Sequence, residues 1–187
     1  LSQWRATRLA SWPAGDRSII ASIREVARLA GVRITTDGAS DAATTLTPGI
    51  TLRPGENGAA VIGRMLARTS DMLVGRGYEI VVRDPDPEAA TDYEYGDAHP
   101  LVTTAVHAQP LRIAGVRVLA LGAVGEAIAS GDSSGSFLTV VDEGLTTDGQ
   151  AAERATAMLR RDTLDADLAT VDVIPHPGQE PGDIVAI

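Results

Sequence analysis

The sequence predicts an α+β fold: a small α/β domain with two helices and a hairpin, followed by a mainly β, barrel-like domain with one inserted helix. Two stretches in the first half repeat apolar residues at the spacing of an amphipathic helix. Beyond residue 100, most apolar residues alternate with polar ones at the two-residue period of a strand. An acidic, proline-rich stretch separates the two patterns, and we place the domain boundary there.

The composition is that of a globular protein with a buried core, since 44% of its 187 residues are hydrophobic and 22% are charged. The formal net charge is −9, and all 16 basic residues are arginine. This acidity argues against sequence-specific nucleic acid binding and against an anionic membrane surface as the partner. The absence of cysteine excludes disulfides and thiolate metal sites.

The longest apolar stretch, Ile113 to Ala129, contains Arg117, Glu126 and three glycines, so it does not predict a membrane span. The N-terminal residues show no secretory signal pattern. Because the chain begins at Leu1 and stops at Ile187 directly after a strand-like pattern, we expect it to be a piece of a longer polypeptide.

Residues 1–85 make up the predicted α/β domain. Asp16 is the predicted N-cap of a first helix, whose apolar residues recur from Ile19 to Ala30. Gly31 ends this helix, and residues 32–34 are predicted to leave it as a short strand.

A second helix and a hairpin complete this domain. Asn57 is the predicted N-cap of the helix, which directs Val61, Ile62, Met65 and Leu66 inward. Residues 72–83 are then predicted to form a hairpin around the Gly75-Arg76-Gly77 turn. A helix that continued through both glycines would cost about 1 kcal/mol for each glycine relative to alanine.

Residues 86–100 form the predicted linker, which takes up most of the acidic and proline-rich stretch from Asp84 to Pro100. Several carboxylates close together can bind calcium, but their spacing here does not match an EF-hand loop. We expect a solvated linker, and whether it binds a cation stays open.

Residues 101–187 make up the predicted barrel-like domain. Its helix covers about 148–161, because Thr147 and Gln150 form a capping box before a stripe of alanines. Small residues on that stripe predict close packing of the helix against a sheet. The predicted strands lie at residues 101–107, 111–121, 124–129, 137–141, 170–174 and 183–187.

A serine-protease pattern is the most specific chemical motif, and we interpret it as loop chemistry. The segment Gly131 to Ser136 and the histidine His107 look like protease nucleophile and base motifs. A catalytic triad also needs an orienting carboxylate, and no aspartate lies between the two motifs. We therefore predict no catalytic residues.

The remaining histidines, His99 and His176, are isolated beside prolines and show no metal-ligand spacing. Glycine-rich segments lack the lysine and the strand-to-helix context of a phosphate-binding loop. We predict neither metal ligands nor cofactor-binding residues, and the protein is expected not to be an enzyme.

Three segments resemble a known family when taken in order. The first is the helix end and short strand at residues 30–34, and the second is the helix and hairpin at residues 57–83. The third is the alanine-rich helix from Gln150 followed by a strand, a proline turn and Glu180-Pro-Gly-Asp-Ile-Val. From about Ser18 to Ile187, the chain is similar to the central and C-terminal parts of late-control-D-like baseplate hub proteins of phage tails.

The resemblance implies a structural role in the virion tail, in a protein made in the cytoplasm of the bacterial host. It implies a homo-oligomer, usually a trimer, that docks tail tube and tail tip proteins. The fold it implies is an α/β insertion domain beside a barrel-like domain that joins a tube.

Two other functions stay open. One is a tail-associated cell-wall hydrolase using carboxylates of the 84–97 region, which a cleft between two carboxylates would favour. The other is a carbohydrate-binding module for the host surface, which an exposed aromatic platform would favour. Exposed apolar faces on the strands between residues 101 and 141 would instead favour the assembly role.

Overall fold

We describe the fold from a computed structural model of the chain. It describes residues 1–76, 78–86, 90–95, 104–107, 113–129, 136–166, 169–172, 177–179, 183 and 185–186. The helices in these ranges are α1 (Ile19–Leu29), α2 (Asp41–Thr45), α3 (Gly58–Leu66) and α4 (Asp148–Ala166). The strands there are β1 (Ala10–Trp12), β2 (Ile34–Thr36), β3 (Ile50–Leu52), β4 (Met72–Arg76), β5 (Glu79–Arg83), β6 (Tyr93–Glu94), β7 (Thr104–His107), β8 (Gly115–Ala120), β9 (Ala123–Ile128), β10 (Phe137–Asp142), β11 (Ala169–Asp172) and β12 (Val185–Ala186).

The described strands form several small sheets, which confirms the predicted α+β class. Two sheets have three strands, in the orders β2-β5-β4 and β10-β8-β9. The remaining pairs are β1 with β3, β7 with β11 and β6 with β12. A closed barrel requires each strand to bond two neighbours, and among the described strands β9 and β10 bond only β8. The described part of the chain therefore contains no closed barrel.

Helix α1 begins at Ile19, and its N-cap is Ser18, whose hydroxyl oxygen accepts a hydrogen bond from the Ala21 N–H at 3.3 Å. The prediction of Asp16 as the cap is wrong, because Asp16 lies two residues too early to reach the free N–H groups of the first turn.

The end of α1 explains a shift in the following strand. Gly31 has a φ of +70°, and the N–H groups of Gly31 and Val32 donate to the carbonyls of Arg28 and Ala27. This is a Schellman motif, which commits both residues to the helix end. The strand therefore begins at Ile34 and not at Val32 as predicted.

The sequence pattern does not predict helix α2. Its N-cap Ser40 accepts from the Ala43 N–H at 3.1 Å. The buried carboxylate of Asp71 fixes this cap, since it accepts from the Ser40 N–H at 2.8 Å and from its hydroxyl at 2.5 Å. A five-residue helix held by a residue 31 positions away has no periodic signature in the sequence.

The second predicted helix and the hairpin over residues 72–83 are confirmed, but the turn lies later than predicted, because Gly75 and Arg76 belong to strand β4 and Gly75 does not have a positive φ. The Asn57 side chain accepts from the N–H groups of the first turn of α3, as predicted. Strands β4 and β5 pair with Arg76 opposite Glu79, and β2 adds in parallel to β5.

Helix α4 packs against the sheet of β8 and β9 through small residues, as the alanine stripe predicts. Ala151 and Ala155 are fully buried, and a Cβ atom added to Gly125 would lie 2.0 Å from the Ala152 backbone nitrogen. The helix continues to Ala166, beyond the predicted end near residue 161. In this extra turn, the Asp162 carboxylate accepts from the Ile113 N–H at 3.2 Å.

One cluster of apolar side chains forms the main core, and it draws from both predicted domains. Ile23, Val61 and Val82 lie in it together with Val118 and Leu145. The division at residues 85 and 101 stays a prediction. None of the described helices has the length and apolar character needed to cross a membrane.

Replacing Gly125 by alanine should destabilise the fold, because the new methyl group would meet the α4 backbone, which cannot move independently. We expect the free energy of unfolding to fall by about 1–3 kcal/mol, measured by urea denaturation. The control is Gly63→Ala, on an exposed position of α3 with nothing within 4 Å of the added Cβ, which should be neutral or stabilising. Equal stability of Gly125→Ala and the wild type would contradict the close packing.

Candidate functional site: the outer face of the β10-β8-β9 sheet

The exposed apolar side chains of the described residues concentrate on one sheet. Of eleven large hydrophobic residues that are exposed there, seven lie on β8, β9 and β10 or on the β8–β9 turn. They are Leu119, Leu121, Val124, Ile128, Phe137, Leu138 and Val141. Such a concentration is typical of surfaces that bind another protein, whereas single exposed apolar residues are ordinary.

Strand alternation divides this sheet into two faces. Val116 and Val118 of β8 point inward and are fully buried with the core, on the side where α4 contacts β8 and β9. The alternate residues point away from α4 and stay exposed. We call that side the outer face, and its exposed members are Arg117, Leu119, Val124, Glu126, Ile128, Phe137, Thr139 and Val141.

The pairing register arranges the outer face in three rows. One end row is apolar, because Val141 pairs with Leu119 and Leu119 pairs with Val124. In the opposite end row Gly115 lies between Phe137 and Ile128, and the Phe137 ring lies over the glycine.

The middle row is polar. Thr139 pairs with Arg117, which pairs with Glu126 and forms an exposed ion pair with it at 2.5 Å. An exposed pair of this kind adds little stability. Its place between two apolar rows matches the mixture of apolar contacts and specific polar groups found in protein interfaces.

Strand β10 is exposed on both faces, apart from Val140, which is half-buried, and Asp142, which is buried. Leu138, whose side chain points to the inner side, is 41% exposed, because α4 covers β8 and β9 but makes few contacts with β10. Among the described strands β10 bonds only β8, so no described strand pairs with the backbone N–H and C=O groups of its other edge. An uncharged, apolar edge strand of this kind readily pairs with another chain.

A buried ion cluster fixes the C-terminal end of β10. Asp142 is 4% exposed and accepts two hydrogen bonds from Arg68, at 2.8 Å from Nε and 3.0 Å from Nη2. Arg154 of α4 forms an ion pair with the same carboxylate, which also accepts from the Gly144 N–H at 3.0 Å. The cluster therefore ties the end of the sheet to α4 and to the residue two positions after α3.

Two guanidinium groups share this one carboxylate, and burial lowers the pKa of both. The pKa of Arg154 falls to about 10, because burial penalises the charged form and the charge of Arg68 adds to this effect. The pKa of Arg68 is lowered by burial alone. Both groups remain protonated at neutral pH. The Nε atom of Arg154 is buried without a hydrogen-bond partner among the described residues.

The acidic segment supplies a second structural contact. Asp84 accepts from the Ser70 hydroxyl at 2.7 Å and forms an ion pair with Arg160 of α4 at 2.7 Å. Burial is the main cause that raises the pKa of Asp84, which stays above its usual value although the hydrogen bond from Ser70 and the charge of Arg160 lower it. Asp84 therefore joins the hairpin end to α4. The described residues hold no group of three or more potential metal ligands.

Most of the other sequence motifs lie outside the residues that the structure describes. Residues 131–135, with the serine of the protease pattern, lie outside the described residues, as do His99 and His176. The backbone of His107 belongs to β7. The alternation between residues 115 and 141 predicts the strands correctly, but it does not show that α4 covers one face of two strands only.

Comparison with known proteins identifies the fold. No protein-family profile matches the chain, and no curated protein does. The 43 kDa tail protein of prophage MuSo2 from Shewanella oneidensis has a similar structure, with a TM-score of 0.56 at 18% identity. The match covers 90% of this chain and 52% of that one.

Two further structures are similar. A tail protein from Neisseria meningitidis MC58 has a TM-score of 0.58 at 12% identity, over 94% of this chain and 57% of that chain. A chain in the virion of the native gene transfer agent particle has a TM-score of 0.56 at 18% identity, over 81% of this chain and 37% of that chain. The protein thus spans about half the length of the two tail proteins. It shares their fold, which agrees with the predicted resemblance at the level of phage tail proteins.

Replacing Asp142 by asparagine should strongly destabilise the protein, because the buried guanidinium of Arg154 and the half-buried guanidinium of Arg68 would lose their only charged partner among the described residues. We expect a loss of about 3–5 kcal/mol in the free energy of unfolding, measured by urea denaturation. The control is Glu126→Gln, which breaks the exposed ion pair with Arg117 and should cost less than about 1 kcal/mol. Similar losses for both variants would show that the cluster does not anchor the sheet.

Proposed function

We propose that this chain is a structural component of a phage or prophage tail that acts by binding other protein chains through the outer face of the β10-β8-β9 sheet. The observation that carries the proposal is the set of two apolar rows on either side of an ion-paired row. A water-exposed surface of this composition is stabilised when another protein covers it.

The fold supports the same role. The three similar structures are two tail proteins and a chain of a virion particle. We infer a location in the virion tail, after synthesis in the cytoplasm of the bacterial host. In finer detail, we propose a baseplate-hub-like component that self-associates, as a trimer, and docks tail tube and tail tip proteins.

The exposed edge of β10 supports self-association. Its residues are β-branched, aromatic or leucine up to Asp142, and no charge interrupts them. Charged residues and prolines are common devices that keep sheet edges from pairing, and β10 has neither before its last residue.

The aromatic residues favour assembly over sugar binding. The chain has six aromatic residues, and Trp4 and Trp12 are partly buried against the core. Tyr78 and Phe137 are exposed, but Tyr78 lies at the β4–β5 turn and Phe137 lies on Gly115 of the outer face. They lie on different sheets, so they do not form the continuous platform expected of a carbohydrate-binding module.

Introducing a charge on the outer face tests the proposal. Val141 is 65% exposed and is not needed for the core, so Val141→Asp should fold normally while burying a carboxylate in any interface that forms there. We expect the association constant to fall at least about tenfold, which corresponds to about 1.4 kcal/mol. Light scattering over a wide concentration range measures it, with circular dichroism to confirm folding.

The matched control is Leu9→Asp, because Leu9 is 63% exposed and lies away from this sheet. It should associate like the wild type. A wild-type chain that stays monomeric at all concentrations would contradict self-association, and equal weakening by both variants would contradict the outer face as the contact surface.

A further inference from the structure

A groove between β3 and α3 carries a local excess of positive charge. Its volume is about 190 Å³, and three arginines line it: Arg53, Arg64 and Arg68. Its remaining wall includes the apolar residues Ile50, Val61 and Met65, which are buried in the core beneath it. The side chains that line it include no carboxylate. In a chain with a net charge of −9, this is a reversal of sign.

The charges around the groove do not cancel. Arg64 forms an ion pair with Glu56 at 2.5 Å and donates to the Thr51 carbonyl at 3.2 Å. Arg68 shares Asp142 with Arg154, so this cluster retains one positive charge. Arg53 is exposed, and its guanidinium has no partner among the described residues. Together with Arg154, the three arginines of the groove make four positive charges, and their carboxylate partners, Glu56 and Asp142, supply two negative charges.

The size of the groove sets the kind of ligand. Pockets for drug-sized molecules measure roughly 300–1,000 Å³, and this groove is smaller. It has room for one oxyanion and the short chain that carries it. A guanidinium fork matches the two oxygens of a carboxylate, and the apolar wall matches methylene groups beside it.

We propose that this groove binds the carboxylate of a single glutamate or aspartate side chain presented by a partner protein. Arg53 supplies the guanidinium group that has no partner among the described residues, Arg68 supplies a fixed positive charge, and the apolar part of the side chain lies along the wall at Ile50. The net negative charge of the protein repels free anions at a distance, which favours a carboxylate tethered to a docked chain over a dissolved ion.

The groove lies near the C-terminal end of β10 in the β10-β8-β9 sheet. Binding of a carboxylate in the groove does not require the outer face. The Gly49 N–H donates to the Gly144 carbonyl at 3.0 Å, and Arg68 holds Asp142 at the end of β10. A partner that covers Val141 would therefore have the groove close by, and an acidic residue there would fix its orientation.

The test is an NMR titration of the whole chain with the peptide acetyl-Leu-Glu-Leu-amide. Backbone amide signals of residues 50–53 and 61–68 and the Arg53 side-chain signal should shift in a saturable manner. The matched peptide with glutamine in place of glutamate should bind at least about fivefold more weakly, because it has no charge for the guanidinium fork. Inorganic phosphate is titrated in parallel.

Substitutions in the groove should lower or raise the affinity for the glutamate peptide, depending on the residue that is changed. Arg53→Gln should lower the affinity for the glutamate peptide about fivefold. Arg53→Lys should restore only part of this affinity, because an ammonium group cannot bind both carboxylate oxygens at once as a guanidinium does. Glu56→Gln should strengthen binding about threefold, because it releases Arg64 from its ion pair. The control Arg8→Gln removes the same charge from an exposed arginine outside the groove and should change nothing.

The proposal is overturned if the glutamate peptide produces no saturable shifts, or if it binds no better than the glutamine peptide. Saturable binding of phosphate alone would also overturn it and would assign the groove to a dissolved anion. Val141→Asp should bind the glutamate peptide like the wild type, so a failure of this proposal and a failure of the assembly surface are distinguishable.

Discussion

The buried carboxylate of Asp142 is the constraint on which the arrangement of the structure depends. It lies at the end of β10 and is held by Arg68, just after α3, and by Arg154 of α4. Buried charges are costly unless they are paired and hydrogen-bonded, so these three groups must meet whenever the protein is folded. Since the partners are 74 and 12 residues away in sequence, their meeting fixes how the first part of the chain lies against the sheet.

The ion pair of Arg154 with Asp142 is one of the contacts that hold α4, and the position of this helix decides which face of the sheet is covered. Gly125 lets the helix backbone come close to β9, and the alanines of α4 fill the narrow space. A helix that packs so closely covers one face of two strands, and β10 remains an edge strand among the strands that the structure describes. The exposed apolar rows are thus a consequence of the packing that stabilises the sheet, and they are the surface that we assign to assembly.

The sequence-based predictions succeeded where the signal is local. The spacing of apolar residues gives α1 and α3, Asn57 and the capping box at Thr147 give helix starts, and the two-residue alternation gives the strands from β8 to β10. They failed where a tertiary contact decides the outcome. Asp71 holds the cap of α2, and the Schellman motif after α1 delays β2. The predicted α+β class is confirmed, and no closed barrel occurs among the described strands, because β9 and β10 end the sheet there.

What the sequence determined by itself is the class of the fold: an acidic α+β chain whose helices and strands follow the spacing of its apolar residues. Local periodicity and composition carry that information, because each depends only on neighbouring residues. Only the tertiary structure decided which face of the sheet is left open and which arginines gather in one groove. Both depend on contacts between residues far apart in the chain, where burial and charge pairing select one arrangement among many that the local pattern allows.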